Sequence, residues 1–197
     1  MVKFILNVIL LGVLSYAQPN ANKFVVKNDK ILSEQVVQKI EQIGTELFGK
    51  SGIFVGICAY ENLDGKNLKQ SFNELNINPP YAVLMITKKE HKVDIFADDD
   101  TLRLFDKEQI LSPFPERGTI LPILTSKNGK DIYNAAILNG YADLSEQIAT
   151  KLNLTLENGI GNANKNTLNL IRFFVYGSIL FVILLIFYRK FMAKYAK

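Results

Sequence analysis

The sequence predicts an α/β fold: a single sandwich domain with a mixed β-sheet packed by helices, plus a C-terminal transmembrane helix. Three observations carry this expectation. Leu32, Val36, Ile40, Ile43 and Leu47 recur at spacings of four, four, three and four, which is one face of a helix. Residues 53–60 and 81–87 are continuous apolar, β-rich runs of the kind that form strands buried on both faces. Residues 168–188 carry one charge, Arg172, and are long enough to cross a hydrocarbon core once that side chain snorkels to the interface.

The elements follow in order along the chain. Lys3 precedes an apolar run over 4–14, interrupted by Asn7 and Gly12, and Ser15-Tyr16-Ala17 then offers a small-x-small site before Gln18. This is the pattern of a secretory signal, with residues 1–17 the predicted signal peptide and an uncleaved N-terminal anchor the alternative. No cysteine follows the run, so a lipid-modified N-terminus is not expected. Residues 24–26 read as a first short strand. Ser33 is a candidate N-cap with Glu34 in the first turn, and Gly49 and Gly52 are expected to end the helix.

Asp64-Gly65 marks a turn, and residues 68–75 a second helix that stops before Pro79-Pro80. Residues 81–87, a polar turn at 88–91 and an alternating run at 92–97 form a predicted hairpin, with Val93, Ile95 and Ala97 on one face. A short helix is expected through Arg103, Leu104 and Phe105, then a loop at Pro113 and Pro115. A long helix runs from Asp131 to about Leu152, with Tyr133, Ile137, Tyr141, Leu144, Ile148 and Leu152 as its stripe. Ala135, Ala136, Gly140, Ala142 and Ala149 suit close packing on a sheet.

The exported domain is thus expected over 18–154, a flexible tether over 155–167, and the membrane span over 168–188. Arg189, Lys190, Lys194 and Lys197 make 189–197 a basic tail, cytoplasmic by the positive-inside rule. The domain then lies outside the cytoplasm, the expected place being the periplasmic face of a bacterial inner membrane.

The formal net charge of +4 belongs to these ends. Residues 18–157 hold 16 Lys and Arg against 19 Asp and Glu. A nucleic-acid binder carries its positive charge on the folded domain, so nucleic acid is not an expected partner. The lone Cys58 lies inside an apolar run, where it reads as a small buried hydrophobe. His91 is the sole histidine and sits in the hairpin turn, which disfavours both a Ser-His-Asp triad and a histidine-rich zinc site. Tyr133 and Tyr141 read as core, and Arg103 and Arg117 as surface arginines near the proline loop.

The concentrated acidic feature is Asp98-Asp99-Asp100 at the hairpin exit. Clustered oxygen ligands suit a hard cation such as Ca²⁺ or another divalent ion, so Asp98, Asp99 and Asp100 are the candidate metal ligands. The competing reading is a solvated acidic turn in which a carboxylate caps the next helix. Adjacent carboxylates diverge along an extended backbone, and the spacing is not that of an EF-hand.

The order of elements over residues 24–153 resembles the TPM domain family, which includes thylakoid-lumen photosystem-repair proteins and bacterial envelope proteins. Val26-Lys27-Asn28-Asp29-Lys30-Ile31-Leu32-Ser33 resembles its "D-x-x-x-x-L-S" entry into a helix. The strand at 52–60 followed by Leu63-Asp64-Gly65 is similar to its second unit, and 81–96 to its hairpin. Ile120-Leu121-Pro122-Ile123-Leu124 with Tyr133-Asn134-Ala135-Ala136 resembles its closing segment. Residues 97–102 depart from it, holding Ala-Asp-Asp-Asp-Thr-Leu where a glycine-rich "G-x-G-L-E" is common.

The resemblance implies a role in assembly, maintenance, repair or protection of a membrane complex. Acid phosphatase activity and bound divalent cations are associated with some family members. The expectation is therefore a membrane-anchored, exported, non-enzymatic module whose partners are the lipid bilayer and an integral membrane protein complex. The alternatives are a metal-dependent acid phosphatase using Asp98–Asp100, and a calcium-stabilised binding domain.

Overall fold

The computed structural model describes residues 23–126 and 131–161, together with 174–178, 180, 181, 183 and 184. The predicted signal peptide, the leader at 18–22 and the basic tail lie outside the described residues, as do 162–167 of the tether and the rest of the expected span.

Four strands form one mixed sheet in the order β1-β2-β3-β4: β1 (Val25–Asn28), β2 (Phe54–Tyr60), β3 (Tyr81–Thr87) and β4 (Lys92–Ala97). The first three are parallel, and β4 returns antiparallel to β3 as the hairpin. The α/β sandwich expected from the alternation of periods is therefore present.

Helix α1 (Glu34–Ser51) begins at Ser33, whose hydroxyl accepts the Val36 N–H, and ends at Gly52 in a left-handed conformation (φ +74°). Gly49, expected to help end the helix, lies inside it. A glycine in a last turn weakens a helix without stopping it, whereas the left-handed C-cap supplies the stop. Helix α2 (Leu68–Asn73) opens on an Asn67–Gln70 capping box and ends two residues before the expected Leu75. Strand β1 starts one residue later than expected, at Val25, and runs to Asn28.

Three short helices follow: α3 (Asp99–Leu102), α4 (Lys107–Ile110) and α5 (Leu121–Leu124). The expected helix through Arg103–Phe105 stops at Leu102, because the chain turns to bury Phe105. The long helix α6 (Ile132–Lys151) is capped by Asp131 as expected. Its stripe is buried at Ile137, Tyr141, Leu144 and Ile148, whereas Leu152 lies beyond the last turn and is exposed. Of the small residues, Ala135 faces solvent, and Ala136, Gly140, Ala142 and Ala149 are buried.

The period-two strands divide their side chains between two cores. Val55, Ile57 and Ala59 of β2, with Ala82, Leu84 and Ile86 of β3, face α1 and α6. Cys58, Val83 and Met85 face the other side, with Leu63 and Leu68, and Phe72 stacks on Phe96 at 4.8 Å. Burial on both faces is why these strands read as unbroken apolar runs.

The chain after α6 stays on the domain. Leu156 is buried, and Leu154 and Ile160 pack on the main core. Residues 155–161, read from sequence as the start of a tether, are held by tertiary contacts. Among the described residues no helix is long and apolar enough to cross a membrane. Those that belong to the expected span, in the 174–184 stretch, are helical.

Candidate functional site

The main concavity among the described residues is an open groove of about 960 Å³ along the outer face of α1. Its lining includes Lys23 from the entering chain, Val37, Glu41 and Thr45 from α1, and Asn158 from the leaving chain.

Two glutamates of α1 organise this groove. One oxygen of Glu41, Oε1, accepts the backbone N–H groups of Phe24 and Val25 at 2.9 and 2.8 Å. The Glu46 carboxylate accepts Lys50 Nζ and the Glu157 N–H, both at 2.6 Å. It also takes the Asn158 N–H and Nδ2 at 2.8 and 3.0 Å. Lys50 closes the arrangement by donating to the Thr155 carbonyl oxygen at 2.8 Å. On α6, Glu146 accepts the Gly161 N–H at 2.6 Å.

At 1.5 Å rise per residue, Glu41 and Glu46 lie about 7.5 Å apart along the helix. One helix therefore grips the chain where it enters the domain and where it leaves. Partial burial opposes the charge on Glu46, but the Lys50 ammonium and the Asn158 and Glu157 donors outweigh it and lower its carboxyl to about 2. The groove presents hydrogen-bonding carboxylates, amides and a few apolar side chains, an array suited to holding polypeptide.

The acidic run is placed differently. Asp98 is the N-cap of α3, and its Oδ1 accepts the Asp100 and Thr101 N–H groups at 3.2 and 3.1 Å. Its Oδ2 accepts the Tyr81 N–H at 2.7 Å, tying the exit of β4 to the start of β3. Partial burial works against the Asp98 charge, and the Tyr81, Thr101 and Asp100 donors overcome it, so its carboxyl lies below the usual carboxylate range. Asp99 is exposed, and Asp100 is exposed beside Arg103 at 3.7 Å. The three carboxylates are not brought together: among the described residues no three His, Cys, Asp or Glu side chains are grouped to hold a metal ion.

The remaining candidates are structural or superficial. Cys58 is fully buried, and burial pushes its thiol up to about 12, so it is not a thiolate nucleophile at neutral pH. Tyr141 is buried and bonded to the backbone of β2, whereas Tyr133 is half-buried. His91 is exposed in the hairpin turn, and Arg103 and Arg117 are exposed.

Sequence reasoning missed Glu41, Glu46, Glu146 and Asn134. Asn134 on α6 accepts the Ser33 N–H at 2.8 Å and donates to the Ile31 carbonyl oxygen at 3.0 Å, so it fixes the start of α1. Glu41 and Glu46 look like ordinary polar-face helix residues, because their partners lie 16 to 112 residues away. Compared with known proteins, the chain matches no family model and no curated protein.

Proposed function

We propose that this chain is a membrane-anchored, exported, non-enzymatic module that assists the assembly, maintenance or protection of a membrane protein complex. The observation that carries the reading is the pairing of Glu41 and Glu46 on α1, which brings the two chain ends onto one helix. A domain whose entry and exit share one face turns that face toward its anchor and leaves the opposite side free for a partner. The described residues of the expected span agree with a lipid-covered helix: Tyr176, Leu180, Phe181 and Leu184 are helical and all exposed. The resemblance to TPM domains and the basic residues after the span point the same way. Anchoring raises the effective concentration of the domain near membrane partners, so a small contact surface suffices.

Crosslinking and affinity recovery of the intact chain from solubilised membranes tests this. Recovery of a discrete membrane protein complex is expected, and it should be lost when residues 168–197 are removed. No recovered partner, together with turnover in a substrate screen, would overturn the reading.

A further inference from the structure

The loop between α4 and α5 displays Phe114, which is 63% exposed. The other exposed large apolar residues between 23 and 161 are Val26, Phe48, Leu102 and Leu152, and none exceeds 42%. A single exposed aromatic is unremarkable on a loose loop, but this one is held. The Phe114 carbonyl oxygen accepts the Arg117 and Gly118 N–H groups at 3.0 and 2.7 Å. The Phe114 N–H donates to Ser112 Oγ at 3.3 Å, and Gln109 Nε2 donates to the Arg117 carbonyl oxygen at 2.6 Å. Gly118 lies so near the Ser112 carbonyl that a Cβ there would overlap it. Pro113 and Pro115 fix φ on either side of the ring.

The base of the loop is tied to the core helix α6. Thr119 Oγ1 donates to the Asp143 carboxylate, and Gln147 Nε2 donates to Asp143 Oδ1 at 3.0 Å. Thr119 N–H also returns to the Ile110 carbonyl oxygen at 3.2 Å. The ring is thus positioned before any contact is made, and the ordering entropy that a flexible loop loses on binding is already absent.

We infer that Phe114 is the anchor through which this domain engages a protein partner, its ring entering an apolar pocket rimmed by polar groups that meet Glu116 and Arg117. The inference rests on reading the chain as an interaction module and adds the contact to it. A protein fits better than a lipid surface. Lipid-surface binding draws on several apolar side chains and an excess of basic ones. Here one ring stands between prolines, an exposed carboxylate follows two residues later, and the domain's acidic residues outnumber its basic ones, 19 to 16 over residues 18–157. One buried aromatic within a polar rim is the common arrangement of an interface hot spot.

The test places a photoreactive phenylalanine analogue at position 114 of the full chain in membranes, with the same analogue at exposed Lys69 as control. A light-dependent protein adduct of discrete mass is expected from position 114 and not from 69. In affinity recovery, Phe114→Ser should lower the co-purified partner about tenfold or more, Phe114→Trp should retain it, and neither should change the melting temperature. Lipid adducts alone, or no adduct at 114, would overturn the inference. Undiminished recovery of the partner by Phe114→Ser would overturn it too, while leaving the membrane-complex reading in place.

Discussion

The Tyr141 hydroxyl donates a 2.7 Å hydrogen bond to the Val55 carbonyl oxygen, joining the middle of α6 to the start of β2. Strand β1 engages β2 only from Ile57 onward, so this carbonyl lies before the ladder begins. The ring is completely buried, and burial holds the phenol well above its ordinary pKa, which keeps the donor proton in place.

Tyr141→Phe keeps the ring and removes the donor, leaving a buried carbonyl without it. A loss of about 1–3 kcal/mol is expected. Denaturant unfolding checks this: the midpoint should fall with an unchanged slope, and an unmoved midpoint would show that water replaces the hydroxyl.

Gly44 is where α1 yields space to the same tyrosine. A Cβ at this position would lie 2.5 Å from both the Tyr141 hydroxyl oxygen and Phe24 Cγ. Neither is the free end of a flexible chain, since Phe24 is buried and Tyr141 is bonded to β2. Gly44→Ala should therefore destabilise by about 1–3 kcal/mol, despite the higher helix propensity of alanine. A rise in melting temperature would contradict the packing described.

Glu46 makes stability depend on acid. Its folded carboxyl is lowered to about 2 from an ordinary 4.5, so its contribution is present above about 4.5 and is lost as pH falls toward 2. Glu46→Gln should lower stability at pH 7 by about 1–2 kcal/mol. The gap between the two proteins should close between pH 4.5 and 2, as thermal melts across that range would record. A constant gap would mean that the charge on Glu46 is irrelevant.

The three aspartates should separate in their effects. Asp98→Ala removes an N-cap and the Tyr81 partner, with an expected loss of about 1–2 kcal/mol. Asp99→Asn and Asp100→Asn should change stability by less than about 0.5 kcal/mol. Because Asp98 spends both oxygens on backbone donors, added Ca²⁺ should leave the melting temperature unchanged; a rise that requires Asp99 and Asp100 would restore the cation site.

The sequence by itself determined the α/β class, the hairpin at 81–97, and the start of α1 at Ser33 and of α6 at Asp131. These rest on local physics: a period of 3.6 or 2, a cap side chain, a turn. Boundaries failed where a local rule competed with a tertiary one. Gly49 looked like a stop, but Gly52 held the left-handed cap. Helices α4 and α5 escaped notice because four residues are too few to show a period.

Only the tertiary structure decided what the polar residues do. Glu41 and Glu46 became clamps on the two chain ends, Asn134 became the brace of α1, and Asp98 turned from a candidate ligand into a cap with a second partner on β3. The same holds for residues 155–161, which look like linker and pack through Leu156 and Ile160. In each case the partner is supplied by a backbone group far along the chain, and every backbone group is chemically alike, so no residue pattern announces the pair. Apolar burial leaves a periodic trace in sequence, whereas a long-range hydrogen bond from a side chain to the backbone leaves none.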